Sequence, residues 1–150
     1  MKTSFLMQVR GLVFALSASL FLGGCASLFV SPYDAANYEK LTSLKAFHLK
    51  LLDDFTEGGG NVFDADKLKA LADAGELKFR EAEEYAAGRG DQSRVDGLKI
   101  LHASFMSTCQ TLMRDGKLYP AGPARTSRSI IAINYDKAIK GETVRASSQK

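Results

Sequence analysis

Residues 34–60 read DAANYEKLTSLKAFHLKLLDDFTEGGG, and the fold class follows from how this stretch spaces its apolar side chains. Tyr38, Leu41, Leu44, Leu51, Leu52 and Phe55 recur at three- and four-residue steps, with Phe47 and His48 at or beside the same stripe. Side chains three and four positions apart share one face of an α-helix, so the stretch predicts a helix with a single buried side. Asp34 stands where a carboxylate can accept from the free N–H groups of the first turn. At the other end, Gly58-Gly59-Gly60 makes continued helix costly in conformational entropy, which predicts a stop near Glu57.

The same pattern repeats down the chain. Asp64 or Asp66 opens a second helix whose inner face is Leu68, Leu71, Ala72, Gly75, Phe79, Ala82 and Tyr85/Ala86; Gly88-Arg89-Gly90 ends it. Gly75 weakens this helix but allows close approach of a neighbour. Asp91 or Ser93 opens a third, with Val95, Leu98, Leu101/His102, Phe105, Cys109 and Leu112/Met113 inward and Gly116 as its stop. Pro120, Gly122 and Pro123 then read as a loop over residues 117–123. A fourth helix is expected over about 124–140, burying Ile130, Ile131, Asn134, Ala138 and Ile139, with Gly141 as terminator. Residues 142–150 are polar, lack a stripe and are expected to be a disordered basic tail. No segment alternates apolar and polar residues for long enough to argue a strand. The expected fold is therefore all-α, a small antiparallel bundle of three to four helices over residues 34–141.

Composition agrees with one domain: 150 residues, 45% hydrophobic, 25% charged, two cysteines, two histidines and no tryptophan. A formal charge of +3 does not point to nucleic acid. The charge is uneven: residues 25–116 hold 11 basic and 15 acidic side chains, residues 117–150 hold 7 and 2.

The first twenty-five residues carry an address. Lys2 and Arg10 precede an uncharged apolar run over 11–22, which has the layout of an export signal. Leu22-Gly23-Gly24-Cys25 follows. This resembles the bacterial lipoprotein signal, with Gly23 where Ala or Ser is more usual. The resemblance implies cleavage between Gly24 and Cys25, a lipid on the Cys25 thiol, residues 1–24 lost as signal peptide, and residues 25–33 as lipidated cysteine and tether. Ala26-Ser27 after the cysteine implies the periplasmic face of the outer membrane, so the membrane is the expected partner. The competing reading is a retained membrane helix through residues 11–30. Within the domain, the order Tyr33-Asp34, Tyr38, Leu41-Thr42, Leu44-Lys45-Ala46, then the glycine break and Asp115-Gly116-Lys117-Leu118, looks like small bacterial and prophage lipoproteins with no assigned role. That likeness admits a prophage-type envelope factor.

The chemistry-bearing residues are few. His48 and His102 lie at the edges of apolar stripes and could face each other in a bundle, which offers a small-ligand or metal site. A metal needs three or four ligands in a suitable pattern, and none is spelled out, so no metal and no cofactor is expected. Cys109 stands alone once Cys25 is acylated, and reads as a small buried apolar residue. No P-loop, GxSxG or dinucleotide fingerprint occurs, and an enzyme is not expected. Lys150 matches the C-terminal lysine through which Braun-type lipoproteins join peptidoglycan, making it the candidate attachment residue, although that family's long heptad helix has no counterpart. Lys117, Arg125, Arg128, Lys137, Lys140, Arg145 and Lys150 form a basic region suited to anionic lipid, an acidic protein or peptidoglycan carboxylates. The expected role is a non-enzymatic structural or partner-binding one in the cell envelope.

Overall fold

The computed structural model describes residues 32–58 and 60–148. Four helices account for them: α1 (Ala35–Asp54), α2 (Ala65–Gly88), α3 (Gln92–Asp115) and α4 (Ala121–Ser147). Three of the four start on an aspartate. Asp34, Asp64 and Asp91 each accept a hydrogen bond from the backbone N–H three residues on, at Asn37, Lys67 and Arg94. This satisfies one of the donors that a helix start leaves free. α3 ends as expected on Gly116, which takes the left-handed conformation (φ 59°) that a side chain disfavours.

α2 packs along α3, and α1 lies between α2 and α4; α3 and α4 touch lightly, and the diagonal pairs less still. The core is one cluster running through all four helices, including Leu41, Leu44, Leu51, Leu52, Phe79, Phe105, Leu112 and Tyr135. Gly75 is buried because Phe105 lies across it: a Cβ there would come within 2.2 Å of Phe105 Cζ and 2.9 Å of Phe47 Cε1. The close approach expected of this glycine is a ring seated on its backbone.

Three boundaries differ from expectation. α1 stops at Asp54 rather than near Glu57, because the following residues leave the helix to pair with Tyr119. The Tyr119 N–H donates to the Phe55 carbonyl (2.7 Å), and the Glu57 N–H donates to the Tyr119 carbonyl (2.9 Å). α4 begins at Ala121, so Gly122 and Pro123 are its first turn rather than loop. Proline is tolerated there since its missing N–H would have no helical partner.

The largest difference is at the other end of α4, which runs through Gly141 to Ser147, so residues 142–147 are not a disordered tail. Its buried side is Ala124, Ile131, Tyr135 and Glu142, while Ile130 faces out. An exposed glycine inside a helix costs only about 1 kcal/mol relative to alanine. The buried partners of Glu142 outweigh it.

Candidate functional site

The polar groups that converge in this molecule do so where α1 and α3 begin and α2 and α4 end. Glu142 sits at the centre with its side chain 3% exposed. Arg94 grips it from α3 with two parallel hydrogen bonds, Nε to Oε1 at 2.8 Å and Nη2 to Oε2 at 2.7 Å. Asn37 Nδ2 on α1 donates to Oε1 (2.9 Å), the Asp34 backbone N–H to Oε2 (3.4 Å), and Arg145 Nη1 to Oε1 (3.1 Å). Arg94 also binds Asp91 through Nη1 at 2.8 Å. Asp34 takes the Tyr85 hydroxyl of α2 on both carboxylate oxygens (3.0 and 2.9 Å) and has Arg89 Nε 3.6 Å away. Three carboxylates and three guanidinium groups thus tie all four helices at one end of the bundle.

Burial pushes the Glu142 carboxyl up, but the hydrogen bonds and charge of Arg94, the Asn37 amide and the charge of Arg145 hold it below its ordinary range. Asp34 is likewise lowered against its burial by the Asn37 N–H, the Tyr85 hydroxyl, Arg89 and Arg94. The Arg89-Gly90-Asp91 turn therefore has a structural use: Gly90 takes a positive φ (70°), and both of its neighbours enter the cluster.

Beside the cluster, a cleft of about 200 Å³ opens between α1, α3 and α4, lined among others by Asn37, Gly97, Lys137, Gly141, Glu142 and Arg145. Asn37 is buried, and its Oδ1 has no hydrogen-bond partner among the described residues. A buried amide oxygen without a donor carries a desolvation cost of about 1–3 kcal/mol.

His48 and His102 are not brought together. His48 is fully buried, edge-on to Phe105 (5.2 Å) and to Tyr135 (5.9 Å). The Thr108 hydroxyl donates to the Ser104 carbonyl at 3.1 Å, so Thr108 Oγ1 accepts from His48 Nε2 at 3.0 Å. That assignment leaves His48 Nδ1 to accept from the Tyr135 hydroxyl at 3.4 Å, the pattern of a neutral ring. Burial pushes its pKa down to about 4. His102 is part-exposed, stacked on Phe79 at 4.7 Å with Nδ1 2.9 Å from Glu83 Oε1. The path of ring contacts from one histidine to the other passes through Phe79 and Phe105. Among the described residues no group of three or more His, Cys, Asp or Glu side chains is placed to hold a metal ion. The Cys109 thiol is buried and pushed up to about 11, which keeps it protonated and unreactive at neutral pH.

Gly24, Cys25 and Lys150 lie outside the described residues. Among the described residues no helix is long and apolar enough to cross a membrane. Asn37, Arg94 and Glu142 were not singled out by the sequence reading. One signal was present: Glu142 lies seven residues beyond Tyr135, which lies four beyond Ile131, so it continues the inner stripe of α4.

The fold defines an all-α four-helix protein, and its polar site is an ion-pair cluster with an adjoining cleft. No protein family, curated protein or solved structure matches this chain.

Proposed function

We propose that this chain is an envelope lipoprotein. Cys25 carries a lipid after cleavage behind Gly24, and the bundle is a non-enzymatic structural or partner-binding module at the periplasmic face of the outer membrane. The observation that carries the anchor is the run Leu22-Gly23-Gly24-Cys25 behind a charged and then apolar leader. Support for the structural part comes from where the charged chemistry goes: Arg94 clasps Glu142 and Asp91, and Arg89 meets Asp34, across helix ends. A tethered domain meets membrane partners at raised local concentration, so weak contacts suffice.

The intact mass of protein extracted from envelopes after lysozyme digestion tests this. A chain beginning at Cys25 with added acyl mass is expected, and a further muropeptide mass would assign Lys150 as an attachment point. Full-length, unacylated protein would overturn the anchor and favour a membrane helix through residues 11–30.

A second reading, small-ligand binding, is favoured by the cleft that Asn37, Lys137 and Arg145 line beside the cluster. It moves the candidate site from the histidines to this cleft. The cleft's excess of cationic side chains over Glu142 suits a small carboxylate. NMR titration with lactate and glycine tests it; unmoved Asn37, Gly97 and Gly141 amides would remove it.

A further inference from the structure

The helix α4 presents apolar side chains on two faces. Ala124, Ile131 and Tyr135 point into the core, whereas Ile130, Ile133 and Val144 are 55%, 50% and 53% exposed. At 100° per residue, Ile130, Ile133, Lys137, Lys140 and Val144 fall within an arc of roughly 80°, centred about 160° from the buried face. This outer stripe is about 21 Å long at 1.5 Å per residue.

Its electrostatics are one-sided. α4 holds five cations and two acids. Neither acid faces the stripe as a free charge: Asp136 binds Lys45 on α1 at 2.5 Å, and Glu142 is inside the cluster. Lys137, which also borders the cleft, and Lys140 have no ion-pair partner among the described residues, and their long stems can lie along the neighbouring apolar groups with the ammonium at the polar level. The helix α2, by contrast, holds six acids and four cations. It packs on α1 and α3 and lies diagonally across the bundle from α4.

Aliphatic side chains interleaved with lysine along one helix face match an anionic phospholipid surface, where the apolar groups enter the headgroup boundary and the lysines meet phosphates. We propose that the outer face of α4, from Ile130 to Val144, lies on an anionic phospholipid bilayer. The chain enters the bundle at Asp34, whose backbone N–H is 3.4 Å from Glu142, so the entry point lies at the same end of α4 as Val144, on the opposite side of the helix from the stripe. This inference rests on the proposed anchor, because nine residues from Cys25 to Asp34 reach at most ~30 Å. A lipid on Cys25 would hold this face within range of the bilayer. The anchor keeps the domain at the membrane, and the stripe decides which side of it faces down.

The test uses the full chain reconstituted in phosphatidylethanolamine/phosphatidylglycerol vesicles, with phosphatidylcholine vesicles for comparison. Nitroxide labels are placed through Ile133→Cys and Val144→Cys, and through Leu77→Cys on α2; buried Cys109 stays unlabelled. The expected result is that collisions of a water-soluble nickel complex with labels 133 and 144 fall at least fivefold in the anionic vesicles. The label at 77 stays unchanged, and Lys137→Glu with Lys140→Glu restores access at 133. Equal access at 133 and 77 on vesicle-bound protein would overturn the proposal while leaving the anchor intact. Protection at 133 that grows with protein concentration without vesicles would also overturn it, since a second copy would then cover the face. Failure of the anchor reads out separately, as protein that lacks acyl mass.

Discussion

Arg94 and His48 are both basic side chains held inside the bundle, yet one keeps its charge and the other is denied it. Arg94 is met by Glu142 and Asp91 at hydrogen-bond distance, so its charge is compensated where it is buried. His48 is met by two phenolic or hydroxyl groups and by aromatic edges, none of which carries charge. The first region closes the ends of four helices. The second spaces three of them along their length. Burial penalises a charge in both places, more heavily at His48, and at Arg94 counter-charges from its own helix start and from another helix outweigh it.

The largest effect expected is from breaking the charged region. Glu142→Ala removes the carboxylate that receives Arg94, Asn37 and Arg145 and is expected to cost about 3–5 kcal/mol in urea unfolding. Replacing both partners, as Arg94→Met with Glu142→Leu, is expected to recover a substantial part of that loss. Recovery to the stability of the original chain or beyond would show that the pair is retained for a reason other than stability.

The neutral region is expected to register as a pH dependence. His48 has a folded pKa of about 4 against an ordinary 6.5, so above pH 6.5 both states are neutral and stability is full. As pH falls from 6.5 toward 4, the unfolded chain takes up a proton that the folded chain refuses. On the order of 3 kcal/mol is then lost. Glu142 and Asp34 have lowered values, so their contribution is complete above the ordinary carboxylate range and is lost below it, in a later and more acidic phase. His48→Gln is expected to flatten the first phase and leave the second. Unfolding free energies measured from pH 7 to pH 3 separate them.

Packing around the neutral region gives a smaller effect. Gly75→Ala forces Phe105 and Phe47 to move and is expected to destabilise by about 1–3 kcal/mol, reduced by alanine's better helix propensity. A shift in the His48 ring resonances should accompany it, because Phe105 is the shared neighbour. The smallest change is expected where charges pair in water. Arg128 binds Asp53 with both side chains about half exposed, and Arg128→Ala is expected to alter the thermal unfolding free energy by less than about 1 kcal/mol. A loss as large as that of Glu142→Ala would end the distinction between buried and exposed pairs.

Much of this architecture was legible in the chain. Three aspartates at the starts of α1, α2 and α3, a glycine closing α3, and apolar spacing of three and four placed those helices closely, because caps and stripes act within a few residues. The site was less legible. Asn37, Arg94 and Glu142 are ordinary polar letters in sequence, and their partners lie 48 and 105 positions apart. The histidines, which drew notice as a pair, sit in separate surroundings.

What the sequence determined by itself was the helical class and the aspartate starts of α1, α2 and α3, since each rests on local chemistry. What only the tertiary structure decided was that α4 continues through Gly141, that Tyr135 rather than Ile130 faces the core, that His48 is neutral, and that Glu142 is a buried hub. The physical reason is common to all four. A glycine stops a helix unless something beyond it has a place inside, and a polar side chain is a surface residue unless another helix brings its counterpart.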